Sequence, residues 1–165
     1  MKKCLLLFML VLSMYSMQAQ EEVKSAVAGS SQSIYGEFLG NGIVFSVNYD
    51  VLFKGDKGFG ARAGLGFLGV NNASVFTVPL GLFHLSGKAP HYFEAGFGVT
   101  YMKGTIDLGT NDKETGDGFT YLPTVGYRFA PLGKNFTGRV YFGPLITGSV
   151  VLFPWGGVSI GYKFR

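Results

Sequence analysis

Three residues near the middle of the chain have the types that a hydrolase needs. His84 could act as a base on Ser86, and Glu94 could orient the imidazole. Such a set works only if the three side chains lie within hydrogen-bond reach of one another. Two further strings invite chemistry. Gly64-Leu-Gly-Phe-Leu-Gly69 matches GxGxxG, and Gly157-Val-Ser-Ile-Gly161 matches GxSxG. A dinucleotide fingerprint needs a helix after it, so that phosphate meets the helix N-terminus. Val70-Asn-Asn-Ala-Ser74 follows instead, and then another strand-like run. A nucleophile elbow must turn sharply from strand into helix. Ser159 is followed by a continuing alternation that ends at Phe164. The acidic residues Asp107, Asp112, Glu114 and Asp117 lack the alternate spacing and central glycine of an EF-hand, and read as a solvated loop. Asn72-Ala-Ser74 and Asn135-Phe-Thr137 match glycosylation acceptors, a reading that needs a eukaryotic secretory host. No catalytic residue, metal site or cofactor is expected.

The elements that carry these residues are strands. Ile43, Phe45, Val47, Tyr49, Val51 and Phe53 share one parity, and Val44, Ser46, Asn48, Asp50 and Leu52 share the other. Phe93, Ala95, Phe97, Val99 and Tyr101 alternate with Glu94, Gly96, Gly98 and Thr100. Val158, Ile160, Tyr162 and Phe164 alternate with Gly157, Ser159, Gly161 and Lys163. This is the two-residue period of a sheet with unlike faces, and no stretch shows a helical period. Eight segments are expected, at about 33–39, 43–53, 58–68, 75–85, 92–102, 119–129, 136–146 and 155–164. The longest connection is expected at 103–118, with others at 40–42, 69–74 and 147–154 on the same side. Those at 54–57, 86–91 and 130–135 fall on the opposite, periplasmic side.

Parity then separates two sets. Phe45, Val47, Phe97, Val99 and Ile160 belong to an apolar face almost without charge, which suits lipid better than water. A soluble lipocalin-like carrier would need polar residues there. Glu37, Asp50, Arg62, Glu94, Arg128, Arg139 and Lys163 belong to the other face. Opposite charges on different strands can pair across the narrow interior of an eight-stranded barrel, which side chains can fill. Arg62, Arg128 and Arg139 are expected to pair with Glu37 or Glu94. Gly58, Gly60, Gly64 and Gly66 share the parity of Arg62 and make room for larger neighbours. By the same parity His84 faces lipid while Glu94 faces the lumen, which separates the would-be triad.

Composition agrees. Glycine reaches 26 residues and aromatics 16%, while charge is only 15%, a balance that suits barrels and disfavours helical bundles. Lys2 and Lys3 precede the short apolar run Leu5–Leu12, and Ala19 offers a small residue for cleavage. Residues 1–19 therefore read as an export signal, 20–31 as a periplasmic lead-in and 32–165 as the barrel. The run is too short to span a bilayer as a helix. Cys4 leaves with the signal. Losing Lys2 and Lys3 lowers the net charge from +4 to +2, too little for a nucleic-acid surface. The fold expected is all-β, an eight-stranded antiparallel transmembrane up-and-down barrel.

Two resemblances follow. His84-Leu-Ser86 with Glu94 resembles the His-x-Ser and later Glu of the outer-membrane lipid A deacylases, which implies a lipid A-modifying hydrolase as an alternative. Ser46-Val-Asn-Tyr-Asp50, Gly60-Ala-Arg-Ala-Gly64, Val78-Pro79, Phe93-Glu-Ala-Gly-Phe-Gly98, Gly126-Tyr-Arg-Phe129 and Gly161-Tyr-Lys-Phe164 resemble the small outer-membrane β-barrel proteins of Bacteroidota. That second resemblance covers nearly all of the barrel region. It implies outer-membrane lipid and lipopolysaccharide as surroundings, and insertion by the barrel assembly machinery through an aromatic-ended last strand. Arg165 after Phe164 departs from that ending. The function expected is a non-enzymatic barrel with a filled lumen, structural or interactive through its outer loops. A narrow channel is the other alternative.

Overall fold

The computed structural model describes residues 31–107, 109, 113–148 and 150–164. The expected signal, the lead-in apart from Ser31, and Asp112 lie outside the described residues. Eight strands follow in order: β1 Gln32–Leu39, β2 Phe45–Leu52, β3 Gly58–Val70, β4 Ala73–Lys88, β5 His91–Asp107, β6 Lys113–Phe129, β7 Phe136–Thr147 and β8 Val150–Phe164. Each pairs antiparallel with the next, and β8 returns to β1 with Phe164 opposite Gln32. Closure leaves the barrel wall without an unpaired edge. Both ends of the barrel lie on one rim, the base, with the turns near 53–57, 89–90 and 130–135. The opposite rim is the mouth.

The outward face repeats a spacing. Phe45 and Phe53, Phe59 and Phe67, Phe76 and His84, Phe93 and Tyr101, and Phe119 and Tyr127 are each eight residues apart. Eight residues cover about 26 Å along a strand, or about 20 Å of depth at a tilt of about 40°. The pairs form two aromatic rings. Between them lie Val47, Leu80, Leu82, Val140, Val158 and Ile160, all exposed. From ring to ring, the outward positions hold no Asp, Glu, Lys or Arg.

Five expectations need correction. Ile43 and Val44 are not strand. Ile43 sits in a turn at φ 72° and packs inward against Leu122, Tyr141 and Leu145, so it does not share the outward face of Phe45. The backbone there folds into the barrel to form a 3-10 turn, Gly40–Gly42. The long connection at 103–118 is mostly strand, because β5 reaches Asp107 and β6 starts at Lys113. Lys103 opposite Asp117 and Thr105 opposite Thr115 are favourable cross-strand pairs, so charge there marks a wet strand and not a loop. At the other places, 69–74 shrinks to Asn71 and Asn72, 86–91 to Ala89 and Pro90, and 147–154 to 148–149.

The inward glycines create space for named neighbours. A Cβ on Gly64 would stand 2.0 Å from Asn48 Oδ1, and one on Gly66 would stand 2.3 Å from Thr77 Oγ1. The GxGxxG string is therefore a packing device inside β3, with β4 and not a helix after it.

Candidate functional site: the luminal charge network

The interior is built in layers. Near the base, Leu52, Phe83, Leu85, Tyr92 and Ala130 form an apolar cluster. Near the mouth, Leu122, Tyr141 and Leu145 form another, with Ile43 and Trp155 packed on it. Charges lie between the two. Glu94, 1% exposed, accepts hydrogen bonds from three guanidiniums. Arg128 Nε donates to its Oε2 at 2.7 Å, and Arg139 Nη1 donates to its Oε1 at 3.3 Å. Arg62 Nη2 also donates to Oε1. Arg128 reaches a second carboxylate, with Nη2 2.8 Å from Asp50 Oδ2. Ser33 Oγ donates to the other oxygen of Asp50. Arg139 Nη2 donates to Glu37 Oε2.

Three carboxylates thus meet three guanidiniums, supplied by six different strands. Burying one ion costs several kcal/mol unless partners and hydrogen bonds compensate, so equal numbers of each sign matter. Aromatic faces cover the arginines. Arg62 and Arg128 lie 4.6 and 4.7 Å from the Phe83 ring centre. Arg139 lies between Tyr35 and Tyr141, at 4.6 and 4.9 Å. A guanidinium over a ring gains from the ring quadrupole once water is excluded. Lys163 lies toward the base, where Nζ donates to Pro131 O at 3.1 Å, and it lines the same small cavity as Asp50 and Arg128.

The turn at Gly40–Gly42 stoppers the mouth side. Asn41 N donates to Glu37 Oε1 at 3.1 Å and to the Tyr141 hydroxyl at 2.9 Å. Thr77 Oγ1 donates to Gly42 O, Thr100 Oγ1 to Asn41 O, and Trp155 Nε1 to Gly40 O. Leu39 and Ile43 flank it at φ 60° and 72°, a region that costs an L-residue unless its surroundings hold it. Five contacts supply that hold. Gly40, at φ 72°, passes so close to Tyr141 that a Cβ would stand 2.0 Å from its hydroxyl oxygen. Between Ser33, Asp50, Tyr92 and Arg128 the interior keeps a cavity of about 10 Å³, enough for about one water.

The hydrolase residues are not brought together. His84 is on the outer surface, its ring 4.7 Å from that of Phe59. Ser86 is also outward. The β4–β5 ladder runs without a shift from Ala73 opposite Ile106 to Lys88 opposite His91, so no bulge turns Glu94 outward. The barrel wall stands between His84 and Glu94. Ser159 lies in the middle of β8, opposite Glu37 and Arg139, with no elbow. Glu114 and Asp117 lie in β6, and the described residues contain no group of three or more His, Cys, Asp or Glu able to hold a metal.

Charge parity alone did not reveal the aromatic partners. Phe83 and Tyr141 share inward parity with Gly81 and with Arg139, so following the alternation through β4 and β7 would have found them. The stopper had no sequence signal beyond the glycines at 40 and 42.

The barrel fold, apart from its contents, has neighbours among solved structures. The barrel aligns with the N-terminal β-barrel domain of Pseudomonas aeruginosa OprF at a TM-score of 0.61 and 9% identity, over 82% of this chain and 98% of that one. The two share a fold. Ail, the attachment invasion locus protein of Yersinia pestis, aligns at 0.49 and 12% identity, over 82% and 96%. Neisserial surface protein A aligns at 0.45 and 9% identity, over 81% and 91%. No protein-family model matches the chain, and no curated protein sequence does.

Proposed function

We propose that the chain is a non-enzymatic outer-membrane protein, embedded in lipid by its outward face and sealed along its axis. The carrying observation is the uncharged outward band between two aromatic rings. Water offers no reason to keep Asp, Glu, Lys and Arg off that band, and hydrocarbon does. In this reading Phe45, Val47, Phe97, Val99 and Ile160 touch lipid, and the base faces the periplasm. The short motifs around Asp50, Arg62, Glu94 and Arg128 favour a place among the small outer-membrane barrels of Bacteroidota. Phe164 near the end of β8 favours insertion by the barrel assembly machinery. The strands that rise past the stopper at the mouth, β5 and β6 above all, are then the surface offered to the outside.

The network supports a structural role for the lumen and not a conducting one. Purified protein in planar bilayers should show conductance near background. A steady ion conductance well above that level, lost when Arg128 or Glu94 is changed, would make the network a gate and the protein a channel.

A further inference from the structure

The two rims carry opposite charge. The mouth segment 103–118 holds Asp107, Asp112, Glu114 and Asp117 against Lys103 and Lys113. At the base, every junction carries lysine: Lys54 and Lys57 between β2 and β3, Lys88 at the end of β4, Lys134 between β6 and β7, and Lys163 where β8 meets β1. Lys54, Lys57, Lys88 and Lys134 are exposed. Asp56 is the acid among the described residues of these turns. A docked protein or a point ligand would need its charge on one side. Lysines spread around the whole circumference fit a plane of anions that surrounds the barrel. One junction is also concave. Gly133, Lys134, Asn135, Lys163 and Phe164 line a notch of about 230 Å³, in which Lys134 is the exposed cation. Asn135 Nδ2 donates to the Tyr162 hydroxyl at 2.5 Å, which fixes the wall of the notch.

We propose that the base rim is a collar for anionic phospholipid headgroups, and that the notch beside Lys134 seats one lipid phosphate with its acyl chain along Phe164. The inference rests on the membrane reading above. Lysine stems lie along apolar surface while their ammonium groups reach the phosphate plane. Attraction to an anionic surface falls off within a Debye length, so the collar must sit at headgroup depth to act. The ring of aromatics next to it sets that depth.

The test uses the full-length protein reconstituted in vesicles of phosphatidylcholine with a minor share of phosphatidylglycerol. The lipid retained on gentle extraction is measured by native mass spectrometry. The wild type should retain phosphatidylglycerol well above its bulk share. Lys134→Glu should reduce that enrichment by about fivefold or more, since each lysine near an anionic surface contributes about that factor. Lys134→Arg should restore it, and high salt should weaken it. Lys54→Glu and Lys88→Glu, far from the notch, should reduce total enrichment and leave the most tightly held lipid in place. Retention at the bulk ratio by the wild type, or equal enrichment in Lys134→Glu, overturns the collar while the protein is still inserted. Failure of the wild type to insert into either lipid overturns the membrane reading itself.

Discussion

Glu94→Ala should destabilise the barrel by about 3–5 kcal/mol, the cost of leaving buried charge without its partner. Glu94 is the carboxylate that Arg62, Arg128 and Arg139 share, so its removal strands three guanidiniums between two apolar layers. Asp50 and Glu37 compensate Arg128 and Arg139 in part, and Arg62 has no second carboxylate in ion-pair contact among the described residues. Combining Glu94→Ala with Arg62→Ala should therefore cost less than the two changes summed. Urea unfolding in vesicles measures both. A loss under about 1 kcal/mol for Glu94→Ala would mean that water enters freely and the lumen is not sealed.

Val47→Arg should cost about 2–4 kcal/mol, because Val47 lies midway along the outward band and an arginine there would sit in hydrocarbon. The same replacement at Phe53, on the base ring, should cost only about 0–1 kcal/mol, since its head can reach the interface. Depth, and not side-chain size, then sets the cost. Equal losses at the two positions in the vesicle unfolding assay would point to ordinary packing on a soluble surface.

Much of this was legible in the alternation. A residue's face in a strand is fixed by parity, so the inward set Glu37, Asp50, Arg62, Glu94, Arg128 and Arg139 could be written down before any coordinates. Parity does not give depth. Only register places Asp50 beside Arg128 across the lumen, while Lys163 falls to the base. Parity also fails where the strand stops. Ile43 continued the outward row in the sequence, but the positive φ angles at Leu39, Gly40 and Ile43 turn it inward. The mouth ends of β5 and β6 were hidden for a different reason. Their strands extend past the aromatic ring at the mouth, where polar side chains on both faces look like a loop.

Lipid coverage of the outward band can be measured directly. On a Cys4→Ser background, single cysteines at Val47, Phe97 and Ile160, and at Lys103 and Lys134 on the rims, can each carry a fluorophore. The protein is reconstituted in vesicles, and quenching is compared between bromine on the lipid tails and iodide in the water. Labels at 47, 97 and 160 should be quenched by the bromolipid and shielded from iodide, and those at 103 and 134 should show the reverse. Iodide quenching at 47, 97 and 160 as strong as at 103 would place the outward band in water.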